Sequence, residues 1–110
     1  MLGSVCDVEV IEGSSGPAVV VVRGDLDDGS ASRFEDALEE VSRHRRREVV
    51  VDLAGTGFLD TAGLAVLVDY ARRLEERGVQ LVLQAPSRAV AMVLDLTGTR
   101  RLFEIRAGAG

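Results

Sequence analysis

Four strand-length apolar stretches, "AVVVVRG" (18–24), "EVVVDLAG" (48–55), "VQLVLQ" (79–84) and "RLFEIR" (101–106), are each separated by a segment whose apolar residues recur every three and four positions. This alternation limits the fold more than any other feature. Strands that alternate with helices build an α/β domain with a largely parallel sheet and right-handed crossovers. An earlier stretch, Val8 to Ile11, runs into "GSSGP" (13–17), a hairpin-like turn that predicts antiparallel pairing with the next stretch. The expectation is one α/β domain over residues 1–110 with a mixed, mostly parallel sheet of about five strands and helices packed against it. Its core is expected at about 7–106, with short tails at 1–6 and 107–110.

The continuous β-branched run Val19 to Val22 predicts a strand buried on both faces, and the 48–55 stretch is expected to be buried like it. Phe34, Ala37, Leu38 and Val41 mark a core-facing stripe on a helix from about Ser30 to Arg46, with acids early and arginines late as the helix dipole prefers. Leu64, Leu67, Val68, Ala71 and Leu74 mark a second helix, which begins at Thr61 and stops at Gly78. Pro86-Ser87 opens a third, carrying Val90, Val93 and Leu94 and ending before Gly98; Met92 on it is expected to fill the core. The Arg43-His44-Arg45-Arg46-Arg47 run is expected to be a solvated helix end, with His44 facing solvent. Arg72, Arg73 and Arg77 alternate with Glu75 and Glu76 and are expected to form a solvated face.

Charge and composition exclude several function classes. A net charge of −5 opposes binding to nucleic acid or an anionic membrane surface, both of which require a basic field. No apolar run approaches the roughly 20 residues of a membrane span, so direct membrane insertion is not expected. The start of the chain has no signal-peptide pattern, which points to the cytoplasm. The single cysteine, Cys6, has no partner for a disulfide or a zinc site and is expected to be a free structural thiol. With no triad and no metal-ligand cluster, enzymatic activity, a metal and a cofactor are all unexpected.

What remains is the loop rim. Parallel strands at 18–24 and 48–55 send their following loops to the same sheet end, where α/β folds place their sites. There the sequence gathers Asp25, Asp27, Asp28 and Asp60 with the Thr61 hydroxyl at a helix entrance, followed by the small residues Ala62, Gly63 and Ala65. Three chemistries suit such a rim. Asp60 or Thr61 caps the helix, for about 1 kcal/mol. An acidic metal pocket of the response-regulator receiver kind accepts phosphate on aspartate, but that pattern uses a lysine, and all 13 basic Lys+Arg residues here are arginine. The third chemistry makes Thr61 itself a phosphoacceptor, since an anion is tolerated at a helix N-terminus while its charge alters the surface.

The chain resembles a STAS domain of the bacterial anti-sigma-factor antagonist family. The most specific stretch is "FLDTAGLAVLV" (58–68), similar to the family's Asp-Ser-(Ser/Thr)-Gly-Leu-Gly pattern. "RGDLDDGSA" (23–31) is similar to its Gly-Glu-Leu-Asp loop, and "RAVAMVLDLTGTRRLFEI" (88–105) to its closing helix, turn and strand. The resemblance implies that Thr61 is the phosphoacceptor, that Asp60 is the acid before it and that Asp27 lies nearby. Asp25, Ala62, Gly63 and Ala65 complete the rim and partner surface. It also implies a binding module that engages an anti-sigma-factor Ser/Thr kinase when unphosphorylated, releasing the sigma factor. The kinase, which carries its own ATP and magnesium, switches the module off, and a metal-dependent Ser/Thr phosphatase resets it. Thr61 stands in place of the usual serine, and Ala62 and Ala65 where Ser/Thr and Gly are commoner. Threonine-bearing domains of this kind also resemble docking subunits of phospholipid-transporting ABC complexes, which work without a phosphate cycle.

Overall fold

The computed structural model describes residues 6–13, 16–44 and 46–108. The element order is β1 (Asp7–Ile11), β2 (Ala18–Arg23), α1 (Ala31–Ser42), β3 (Glu48–Gly55), α2 (Thr61–Glu76), β4 (Gln80–Gln84), α3 (Arg88–Thr97), a 3₁₀ turn (Arg100–Leu102) and β5 (Glu104–Arg106). The five strands lie in sequence order across one sheet. β1 pairs antiparallel with β2, and β2 to β5 run parallel. The expected hairpin is thus present, although Ser14 and Ser15 of its turn lie outside the described residues.

All three helices contribute to one buried cluster on one sheet face. Alternate strand positions, Ala18, Val20 and Val22 on β2, Val49, Val51 and Leu53 on β3, and Leu81 and Leu83 on β4, meet Phe34 and Leu38 of α1, Leu67 and Leu74 of α2, and Val90 and Leu94 of α3. This corrects the expectation of two-sided burial for β2, where Val19 and Val21 remain partly exposed. Deeper in the sheet, Val50 of β3 and Val82 of β4 are buried on the helix-free face, Val82 at 0% exposure. Part of their cover is ionic. Arg106 of β5 donates through both terminal nitrogens to Glu48 of β3 (3.1 and 3.0 Å) and through Nε to Glu104 (2.5 Å), so the bridge crosses the intervening β4.

Four further expectations are corrected. α1 ends at Ser42, with no acid in its first turn and no base in its last, because its apolar stripe stops at Val41 and nothing beyond it is available to bury. His44 therefore follows the helix rather than sitting on it. Arg46 is not solvated: its side chain, 10% exposed, donates to the Gly16 carbonyl (2.8 Å) and to Glu12 (2.8 Å), pinning the β1–β2 turn. Met92 is 56% exposed, because α3 turns only Val90 and Leu94 fully inward. β5 is shorter than the 101–106 stretch: after Gly98 adopts the left-handed conformation that ends α3, Leu102 and Phe103 bond back to Thr99 and Arg100 as a tight turn.

Cys6 is buried in the core cluster, extending that core one residue before the expected boundary. At the other end Gly108 lies against Ala85, and Ala109 and Gly110 lie outside the described residues. The seam between α1 and α2 is polar. The Tyr70 hydroxyl donates to Glu39 (2.6 Å), and the Arg73 guanidinium lies 5.0 Å over the Tyr70 ring while pairing with Asp69 (3.1 Å). Burial, then the Glu39 carboxylate, holds the Tyr70 hydroxyl well above the ordinary tyrosine pKa. Arg77 donates to the Ser42 carbonyl (2.5 Å). Arg73 and Arg77 thus tie the helices together, contrary to the expectation of a merely solvated face.

Candidate functional site

Because β2 and β3 are parallel neighbours, their following loops emerge together. The backbone stitches them: Gly24 N–H donates to Gly55 O (2.9 Å), Leu26 N–H to Phe58 O (2.9 Å) and Asp60 N–H to Leu26 O (3.1 Å). Leu26 and Leu59 form an isolated parallel bridge and are both buried, so the rim is anchored in the core from below. A third element joins it. Ser87, at the start of α3, donates its hydroxyl to Thr56 O (2.7 Å), and the buried Thr56 hydroxyl donates to Val22 O (3.0 Å).

The two signal aspartates both serve as acceptors for backbone N–H groups. Asp60 is the N-cap of α2: Oδ1 accepts from Ala62 N–H (2.9 Å) and Gly63 N–H (3.1 Å), while Oδ2 accepts from Asp28 N–H (3.2 Å) on the facing loop. One carboxylate therefore caps the helix and clasps the two loops. Asp27 Oδ1 accepts from Gly29 N–H (3.0 Å) and Ser30 N–H (3.2 Å), shaping the turn into α1. Such bonds fix the direction of each carboxylate. Among the described residues no group of three or more His, Cys, Asp or Glu side chains is arranged to hold a metal ion.

Since Asp60 supplies the cap, Thr61 is the first helical residue, exposed to solvent. The rim thus places Thr61 beside Asp60, with Asp28 clasped from the other loop and Asp27 one residue before it. Asp25 is half-buried; its carbonyl accepts the Ser30 hydroxyl (2.9 Å). The three small residues separate. Ala65 is exposed and Ala62 half-buried, whereas Gly63 is buried under the facing loop. A Cβ on Gly63 would lie 2.7 Å from Leu26 O, 2.8 Å from Leu26 Cγ and 2.9 Å from Leu59 Cδ1. Glycine is thus required there for the close approach of α2 to the β2–α1 loop. Asp52, at the end of β3, accepts from Ala54 N–H (3.0 Å) in the manner of an ordinary strand-end residue.

Sequence reasoning missed Thr56, whose role depends on a strand 34 positions away, and Phe58, which stands 50% exposed on the rim loop. An aromatic left outside the core before the Asp-Thr pair is the one signal that marks Phe58. The rim offers an exposed hydroxyl on a rigid platform and a surface of small, acidic and aromatic side chains. That chemistry suits modification from outside and contact with another protein.

Fold and site together define a class: a small α/β domain with a mixed sheet whose distinctive surface is a stitched loop rim at a helix entrance. The chain belongs to the STAS domain family, which matches residues 8–108. An anti-sigma-B factor antagonist of Staphylococcus epidermidis is 26% identical over 89 residues, covering 81% of this chain and 82% of that protein. The solved structure of an anti-sigma factor antagonist from Mycobacterium paratuberculosis matches with a TM-score of 0.80 and 26% identity, covering 96% of this chain and 88% of that one. The Bacillus cell fate determinant SpoIIAA in its phosphorylated form shares the fold, with a TM-score of 0.71 at 15% identity and 90% coverage of each chain.

Proposed function

We propose that this protein is a cytoplasmic anti-sigma-factor antagonist that binds an anti-sigma-factor Ser/Thr kinase while Thr61 is unmodified, freeing the sigma factor, and lets go when that kinase phosphorylates Thr61. A metal-dependent Ser/Thr phosphatase restores the binding form. The protein is a substrate and a binding module rather than an enzyme and carries no cofactor. The observation that carries this reading is the division of labour between neighbours: Asp60 caps α2, so Thr61 stands exposed beside it at the first helical position. The relatives described above are themselves named as antagonists, and one domain of the same fold is known in a phosphorylated state.

The switch is electrostatic. A phosphoryl group adds roughly −1.5 to −2 charges. The N–H groups of Ala62 and Gly63, which would otherwise receive it, already bond to Asp60. The new charge therefore faces outward, beside an aspartate. Two unit charges about 4 Å apart at an effective dielectric near 20 interact by about 4 kcal/mol, against about 1.4 kcal/mol for a tenfold change in affinity. Even a strongly screened repulsion dissociates a moderate-affinity complex.

The test is phosphotransfer from the small anti-sigma kinases of the same genome, with ATP and magnesium, read by intact mass and peptide mapping. One added phosphate on Thr61 is expected, with none on Thr61→Ala. Thr61→Ala should bind the kinase and Thr61→Glu should bind at least tenfold more weakly. Equal binding of the two variants refutes the charge switch. Absence of transfer, together with stoichiometric co-purification with a transporter ATPase, replaces this function with that of an ABC-complex docking subunit.

A further inference from the structure

The arginine run after α1 has no part in the rim and lies at the other end of the sheet. There the segments entering β2, β3 and β4 surround an open basin of about 870 Å³. Pro17 comes from the first segment, His44, Arg46 and Arg47 from the second, and Arg77 and Val79 from the third. Three arginines and a histidine thus converge on one concavity in a chain whose net charge is −5. The acid on its wall, Glu48, has both carboxylate oxygens engaged by Arg106.

These side chains are held in different ways. Arg46 is locked beneath the basin by the Gly16 carbonyl and by an ion pair with Glu12 (2.8 Å), which offsets its charge. Arg77 spends one terminal nitrogen on the Ser42 carbonyl; its Nε and other terminal nitrogen have no partner among the described residues. Arg47 is exposed; its carbonyl accepts from Gln80 N–H (3.0 Å), and its guanidinium has no hydrogen bond or ion pair among the described residues. His44 meets Glu12 through Nδ1 (3.2 Å), leaving Nε2 unpaired among the described residues. Unspent guanidinium donors on two separate segments match an anion with several oxygens better than a single carboxylate. The volume falls in the range of small-ligand sites and exceeds what one phosphate fills. Pro17 and Val79 add an apolar wall.

We infer that this basin is a binding site for a small anion bearing two or more phosphoryl groups, held by the guanidinium groups of Arg47 and Arg77. The site is independent of Thr61 and of the function proposed for it.

Pyrophosphate and ADP serve as probes, titrated into the full chain at low salt by calorimetry and by amide chemical shifts. Saturable binding with a Kd below about 1 mM is expected, with shifts at Gly16, Arg47, Arg77 and Val79 and none at the Thr61 rim. Arg47→Ala and Arg77→Ala should each weaken binding about tenfold, and Arg47→Lys less. Arg101→Ala, the same charge change on the exposed 3₁₀ turn, should leave binding unaltered, with circular dichroism verifying the fold of every variant. Equal affinity for the two probes identifies the phosphates alone as the recognised chemistry. Tighter ADP binding identifies a nucleotide that also uses the Pro17 and Val79 wall. No saturable binding of either probe, or an Arg101→Ala loss as large as that of Arg47→Ala, overturns the site.

Discussion

Replacing Asp60 tests the structural basis of the rim directly. In Asp60→Ala the Ala62 and Gly63 N–H groups lose their acceptor, which is the loss of an N-cap and costs about 1 kcal/mol. The Asp28 N–H also loses its bond across the loops; at 3.2 Å and exposed, that bond is worth about 0.5–1 kcal/mol. Together they predict a loss of about 1.5–2 kcal/mol, and at roughly 4 °C per kcal/mol for a domain of this size, a Tm lower by about 6–8 °C. Asp60→Asn separates the two contributions. Asparagine caps as well as aspartate, but with its oxygen on the cap its amide nitrogen faces Asp28 N–H and cannot accept from it, so only the clasp's contribution of about 0.5–1 kcal/mol should be lost. Urea unfolding followed by circular dichroism gives the three midpoints, and an unchanged m-value assigns the differences to the native contacts. If Asp60→Ala lies within 0.5 kcal/mol of the wild type, Asp60 is not the cap, and the exposed position of Thr61 loses its explanation.

Gly63→Ala should destabilise the domain by about 1–3 kcal/mol, measured in the same way, because the added methyl meets the Leu26 backbone oxygen at 2.7 Å; a neutral or stabilising result refutes the close approach. The lone tyrosine permits a clean alkaline titration at 295 nm. With its folded pKa raised, Tyr70 contributes stability that is complete below the unfolded pKa of about 10 and declines as pH climbs from there toward the folded value, so its ionisation should lag behind that of a free tyrosine. Tyr70→Phe should remove that pH dependence. Leu96→Lys and Met92→Lys should each change stability by less than about 0.5 kcal/mol, since the residues are 80% and 56% exposed; a loss above 2 kcal/mol for either would place that side chain in the core.

Much of the fold was legible because it is written locally. Apolar residues at positions 34, 37, 38 and 41, and again at 64, 67, 71 and 74, declare helices and their inward faces without reference to the rest of the chain. The rim was legible for a related reason: parallel neighbouring strands necessarily release their loops at one end, so the loops that carry Asp27 and Thr61 share one rim once β2 and β3 are adjacent. The end of α1 was less legible. Arg43 to Arg47 carry no helix breaker, and the helix stops because no apolar partner remains to be buried, while Arg46 finds acceptors on a turn 30 residues earlier. Met92 was misplaced because a ten-residue helix at the margin of the sheet needs only two inward residues.

The sequence by itself determined the element order, the core stripes, the presence of a capping side chain before α2 and the chemistry available at the rim. These follow from interactions between residues a few positions apart, which any extended sequence displays. Only the tertiary structure decided that Asp60 rather than Thr61 takes the cap, that Gly63 is buried while Ala65 is exposed, that one sheet face is covered by helices and that three arginines and a histidine share a basin. Each of those outcomes depends on which distant backbone groups come within hydrogen-bonding or van der Waals range, and that is settled when the strands pair and the helices choose a face.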